Sequence, residues 1–271
     1  MTALGGTTNG KGSQTTMPVW ALMLEYDGAP FVGWQRQDNG LSIQEILETA
    51  AARLTGGAPV STVVAGRTDA GVHAEAQVAQ LSLQSPLPAN RLREALNYYM
   101  KPHPVAVLSA APAPEGWNAR FSAVGRAYRY RILNRRARPA LLAGRVWHVH
   151  ATLDADAMHA AAQILIGRHD FTSFRAAACQ AKSPLRTLDR LDVRRDGDVI
   201  EIVAGARSFL HHQVRNMVGT LKLVGDGHWT AARVAAALAA RDRSVAGPTA
   251  PSEGLCLIGV RYPVDPFAGQ P

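Results

Sequence analysis

Two apolar runs, Val60 to Ala65 and Gln77 to Leu83, bracket the segment Gly66-Arg67-Thr68-Asp69-Ala70-Gly71-Val72-His73-Ala74. The first run is rich in β-branched residues and the second alternates, so the spacing predicts two strands with a presented loop between them. Gly66 and Gly71 permit backbone angles that other residues resist. Between them stand an arginine and a carboxylate two positions apart, with His73 four residues beyond the carboxylate. An arginine held near Asp69 would favour its ionised form, which suits a nucleophile or a base rather than a general acid. The same residues would also serve a plain connecting turn with a solvated ion pair, since most surface pairs contribute little.

The chain around this loop reads as α+β. Val19 to Tyr26 is a strand ending at the turn signal Asp27-Gly28. Ser42-Ile43-Gln44-Glu45 is a capping box, and Ile43, Ile46, Leu47, Ala50 and Leu54 form one helical face. After the two central strands, Asn90 is expected to cap a helix bearing Leu92, Leu96 and Tyr99, followed by a strand from Val105 to Ala110. The order is β-α-β-β-α-β, a ferredoxin-like half. Pro112 to Gly116 reads as a linker. Beyond it come a strand from Gly125 to Leu133, a plausible partner from Val146 to His150 and a helix capped by Asp154. An irregular loop from Arg168 to Pro184 and a hairpin across Asp196-Gly197-Asp198 follow. The end of the chain holds a helix from about Leu210 to Val224, an Ala-rich helix capped by Thr230 and a last strand, Leu257 to Tyr262. The same β-α-β-β-α-β order recurs with additions. The expectation is therefore two ferredoxin-like halves, 18–111 and 116–263, with mostly antiparallel sheets flanked by helices. A substrate cleft would lie between them, and tails would occupy 1–17 and 264–271.

The formal net charge is +8, with only 18% charged residues, so the excess is not a disordered polybasic tail. A folded basic protein suits an anionic partner, nucleic acid first. The two cysteines, Cys179 and Cys256, make no Cys-x-x-Cys pair, which points away from zinc ribbons and redox motifs and towards a reducing, cytoplasmic compartment. Met1 to Thr16 has neither a signal-peptide core nor a membrane anchor. Gly5 to Lys11 nearly fits a P-loop, but Gly12 stands where Ser or Thr is required.

Two further stretches carry chemistry. In Gly125-Arg126-Ala127-Tyr128-Arg129-Tyr130-Arg131, a strand puts both tyrosines on one face and Arg129 and Arg131 on the other. Interleaved basic and aromatic residues suit RNA, although two core tyrosines behind a charged face would read the same way. In Phe209-Leu210-His211-His212-Gln213-Val214-Arg215-Asn216, helical spacing aligns His211, Arg215 and Lys222 on a polar flank. The adjacent histidines lack a third metal ligand at convincing spacing, so no metal site is expected.

These three segments together resemble the tRNA pseudouridine synthase A family, the tRNA pseudouridine(38–40) synthases. Supporting matches lie in His169-Asp170-Phe171-Thr172-Ser173-Phe174 and Glu253-Gly254-Leu255, so the resemblance runs from about Val19 to Tyr262. It implies isomerisation of uridine to pseudouridine at positions 38, 39 and 40 of the tRNA anticodon stem-loop, without a cofactor, by a homodimer that does not enter a membrane. On that resemblance Asp69 is the catalytic carboxylate, Tyr128 lies against the target base, and Arg215 orients Asp69 and binds substrate. Arg67 is a further substrate-binding candidate, while Tyr130 is left to the core. Whether Asp69 attacks C1′ or removes a sugar proton stays open. Two other readings of the bare residues are a binding-only RNA protein and a carboxylate-dependent hydrolase, which would need a second carboxyl group.

Overall fold

The computed structural model describes residues 18–269. The expected tail, 1–17, and the near-match to a P-loop lie outside them. The first elements are β1 (Val19–Tyr26), α1 (Ile43–Leu54), β2 (Thr62–Val64), β3 (His73–Ser82), α2 (Ala89–Met100) and β4 (Val105–Pro112). Then come β5 (Gly125–Asn134), β6 (Trp147–Val149), α3 (Ala155–Gln163), β7 (Gly167–Asp170), β8 (Leu185–Asp196) and β9 (Val199–Ala206). The chain closes with α4 (Gln213–Gly225), α5 (Ala231–Ala240) and β10 (Leu255–Arg261).

Among the described residues the strands form one 10-stranded sheet, β4-β1-β3-β10-β5-β9-β8-β7, with β2 on β3 and β6 on β5. It is mostly antiparallel, as expected. β10 is the exception that joins the two parts: it runs parallel to β3 at Cys256 and Leu257 and antiparallel to β5. In both parts the last strand lies beside the first, β4 on β1 and β10 on β5, and the other neighbour of the first along the sheet is the strand before the last helices, β3 for β1 and β9 for β5. Because β10 lies next to the start of β3, the loop that precedes β3 is carried to the seam. That loop holds Asp69.

Local signals explain most element starts. Ser42 Oγ accepts from Glu45 N at 3.2 Å, but the return half of the capping box is not made, and Glu45 meets Arg36 instead. Asp154 and Thr230 cap α3 and α5 as expected. The expected Asn90 cap is corrected. α2 starts at Ala89 with Pro88 as its cap residue, and the Asn90 side chain accepts only from Arg91 N. Proline pre-sets a helix-entry φ and has no N–H to leave unpaired. The expected loop from Arg168 to Pro184 also contains structure: Gly167–Asp170 pairs with Leu185–Leu188, and a short 3-10 turn buries Phe171 and Phe174. The polar run Gly-Arg-His-Asp shows no alternation, and backbone pairing to the edge of β8 makes it a strand. Finally, α4 begins at Gln213 rather than Leu210, so both histidines precede the helix.

Gly219 lets the backbone of 248–250 lie against α4. A methyl group there would stand 1.8 Å from Pro248 O and 2.9 Å from its carbonyl carbon. Gly219→Ala would gain about 1 kcal/mol of helix propensity. The clash is with backbone, which cannot rotate away, and should cost about 3 kcal/mol. A lower urea midpoint for Gly219→Ala is the expected outcome. An unchanged midpoint would mean that this contact is loose.

Candidate active site

The loop from Ala65 to Val72 is held on several sides. Trp34 N donates to Thr68 O at 3.0 Å, and Gly33 forms an isolated bridge with Asp69. Gly33 has φ 110°, and a side chain there would press on Thr68 O at 2.7 Å, so the turn needs glycine. Thr68 is buried, with its hydroxyl 2.8 Å from that of Tyr26. Gln77 Nε2 donates to Gly66 O at 2.8 Å, and Val72 N donates to Asp69 O at 3.1 Å. His73 turns away from the carboxylate: its Nδ1 accepts from Gly28 N and its Nε2 bonds Gly144 O. It braces the loop.

Three groups from the other side of the seam meet Asp69. Arg215 Nη1 donates to Oδ2 at 3.4 Å. His212 Nε2 lies 3.3 Å from Oδ2, and His211 Nε2 lies 3.2 Å from Oδ1. Arg215 comes from the first turn of α4 and is half-locked by a second bond, Nε to Ala250 O at 2.8 Å. The close approach that Gly219 allows is what brings Ala250 to it. The histidines reach Asp69 because His212 adopts a left-handed backbone, φ 60°. That conformation is uncommon for a residue with a side chain and recurs at functional sites. The two rings lie 4.0 Å apart between centroids. Ala176 N donates to His211 O at 2.9 Å, so the segment after β7 braces this turn.

Burial pulls the His212 pKa below the ordinary histidine value, against the opposing pull of Asp69. At neutral pH His212 is therefore uncharged, and Arg215 supplies the positive charge beside the carboxylate. The Tyr128 ring is buried and meets Phe209 in a T-shaped contact, centroids 5.3 Å apart. Burial first, and then the charge of Asp69, push the Tyr128 hydroxyl above its ordinary pKa. It stays protonated at neutral pH. Tyr130 is fully buried and donates to Pro251 O, a core residue as expected. Arg67 is exposed and does not join the cluster.

Sequence spacing gave the histidines no link to Asp69, because their turn lies far from it along the chain. Asp69, His211 and His212 bring donor atoms within 4.8 Å of one another, a third ligand that spacing did not reveal. The fixed charge of Arg215 on the same carboxylate opposes a cation there. Among the described residues, the groups that reach Asp69 are all basic or neutral, with no second carboxylate, which disfavours a two-carboxylate glycosidase.

A mostly antiparallel α+β sheet thus presents one carboxylate, Asp69, to an arginine, Arg215, at the seam of its two parts. A family model described as tRNA pseudouridine synthase matches residues 22–122 and 161–263. A protein of Acidiphilium cryptum called tRNA pseudouridine synthase A is 73% identical over 249 residues, 92% of this chain and 98% of that protein. One of the same name from Rhodospirillum centenum is 64% identical over 246 residues, 91% of this chain and 100% of that protein. The chain belongs to the tRNA pseudouridine synthase family, isomerases that convert uridine to pseudouridine in tRNA. Among the described residues, no helix is long and apolar enough to cross a membrane.

Proposed function

We propose that this chain isomerises uridines 38, 39 and 40 in the anticodon stem-loop of tRNA, with Asp69 as the catalytic carboxylate. The observation that carries the reading is the meeting of Asp69, from the loop before β3, with Arg215, from α4. Arg215 aims the carboxylate through a charge-assisted hydrogen bond. Asp69 acts on the ribose of the target, at C1′ or on a sugar proton, so that the N1–C1′ bond breaks. Uracil then rotates, rejoins through C5 and releases the C5 proton. Extracting a paired uridine from the stem costs a few kcal/mol. Phosphate contacts from Arg67 and other basic side chains offset this, which makes binding salt-sensitive. The same reading makes the working unit a cytoplasmic homodimer with one tRNA across both subunits. A light-scattering mass of a single chain would count against the dimer.

Transcripts labelled with tritium at uridine C5 test the position. Release is expected from a tRNA with uridines at 38 to 40 and not after their replacement by cytidine. Release that survives replacement would move the target elsewhere.

Tyr128 stacks on the extracted base in this reading. Its protonated hydroxyl is poorly suited to accept the C5 proton. Tyr128→Phe should therefore stay within about tenfold of wild type, while Tyr128→Ala, which removes the ring, should lose about 100-fold. A loss well beyond 100-fold in Tyr128→Phe would assign the hydroxyl a proton-transfer role.

A further inference from the structure

Phe121 is 75% exposed, yet its backbone is tightly fixed. Arg120 N and Phe121 N both donate to Asn118 Oδ1 at 3.0 Å, Ser122 N donates to Asn118 O, and Asn118 N donates back to Ser122 Oγ. Ala119 within this turn and Ala123 just after it are buried, so the turn is anchored while the ring stands in water. Burying such a ring would be worth about 1.5–3 kcal/mol. The turn instead holds it out.

The turn is also stapled to the active site. The Arg126 guanidinium donates through Nη2 to Arg120 O at 2.8 Å and to Ala65 O at 2.7 Å, and through Nη1 to Arg207 O at 2.6 Å. Ala65 opens the loop to Asp69, and Arg207 opens the segment to His211 and His212. One side chain, two residues before Tyr128, thus gathers three loops. Arg67, Arg120 and Arg207 are exposed on these loops, and the Arg120 guanidinium lies 5.5 Å from the Phe121 ring centroid. No acidic residue occurs in 117–128 or 207–212.

We propose that Phe121 is a base-stacking residue of the substrate site, receiving a nucleobase next to the target uridine while Arg67, Arg120 and Arg207 hold the flanking phosphates. The inference rests on the functional reading above. A single ring among guanidiniums is too small an apolar surface for a stable protein partner. It matches an unpaired base with its phosphates, since every base has a face to stack and a charge beside it. Extracting the target leaves a neighbour without its stacking partner, and the Phe121 ring takes that place.

The test compares Phe121→Ala, Phe121→Leu and Phe121→Trp in the full chain. Because the side chain is exposed, urea midpoints should match wild type. Phe121→Ala and Phe121→Leu are expected to lose about 10- to 100-fold in kcat/KM for tritium release, and Phe121→Trp to stay within about threefold. With 5-iodouridine beside the target, irradiation should crosslink the RNA to residue 121 in wild type. Full activity of Phe121→Leu, or a crosslink that avoids the 118–122 turn, would overturn the proposal. If wild type releases no tritium, the functional reading fails instead, and the crosslink still decides whether Phe121 meets RNA.

Discussion

Asp69→Asn is expected to bind unmodified tRNA at least as tightly as wild type and to release no tritium from uridine C5, a fall of about 10⁴-fold or more. The amide keeps the shape of the side chain and removes its charge. It can neither attack C1′ nor take a sugar proton. Its neighbours Arg215, His211 and His212 then face the polyanion with no carboxylate among them. Affinity should therefore hold or rise, because a negative charge facing phosphate has gone. Filter binding measures the first half of the expectation and single-turnover tritium release the second. Turnover near wild type would remove Asp69 from the chemistry and with it the central assignment.

Arg215→Lys should cost about 100-fold in the single-turnover rate with little change in tRNA affinity, and Arg215→Ala about 1,000-fold. Lysine keeps the charge but cannot make both bonds that arginine makes, Nε to Ala250 O and Nη1 to Asp69 Oδ2. The side chain is only 15% exposed, so a shorter, more strongly hydrated ammonium is poorly housed there. The 3.4 Å bond to Asp69 is long, as is common before substrate arrives. A rate effect without an affinity effect identifies a residue that aims Asp69. An equal loss in affinity and none in rate would make Arg215 a phosphate contact only.

Much of the fold was legible because its signals are local. Ser42, Asp154 and Thr230 each announce a helix through a side chain that reaches an N–H three residues on. The period of a strand put Tyr128 and Tyr130 on one face of β5, and the structure buries that face. The missed boundaries are those where a neighbour outweighs the local pattern: β7, created by pairing to β8, and the start of α2, taken by Pro88 rather than Asn90.

The sequence by itself determined the family and the α+β order and put Asp69 forward as the candidate carboxylate, because the Gly66 to Ala74 motif carries its turn-forming glycines and its charge within nine residues. Only the tertiary structure decided what surrounds that carboxylate. His211 and His212 reach it through a left-handed turn, and Arg126 ties the Phe121 turn to the same rim through carbonyl oxygens. Such contacts leave little trace in residue type, since any residue supplies a carbonyl. They exist because β10 lies between β3 and β5 and closes two distant stretches of chain onto one seam.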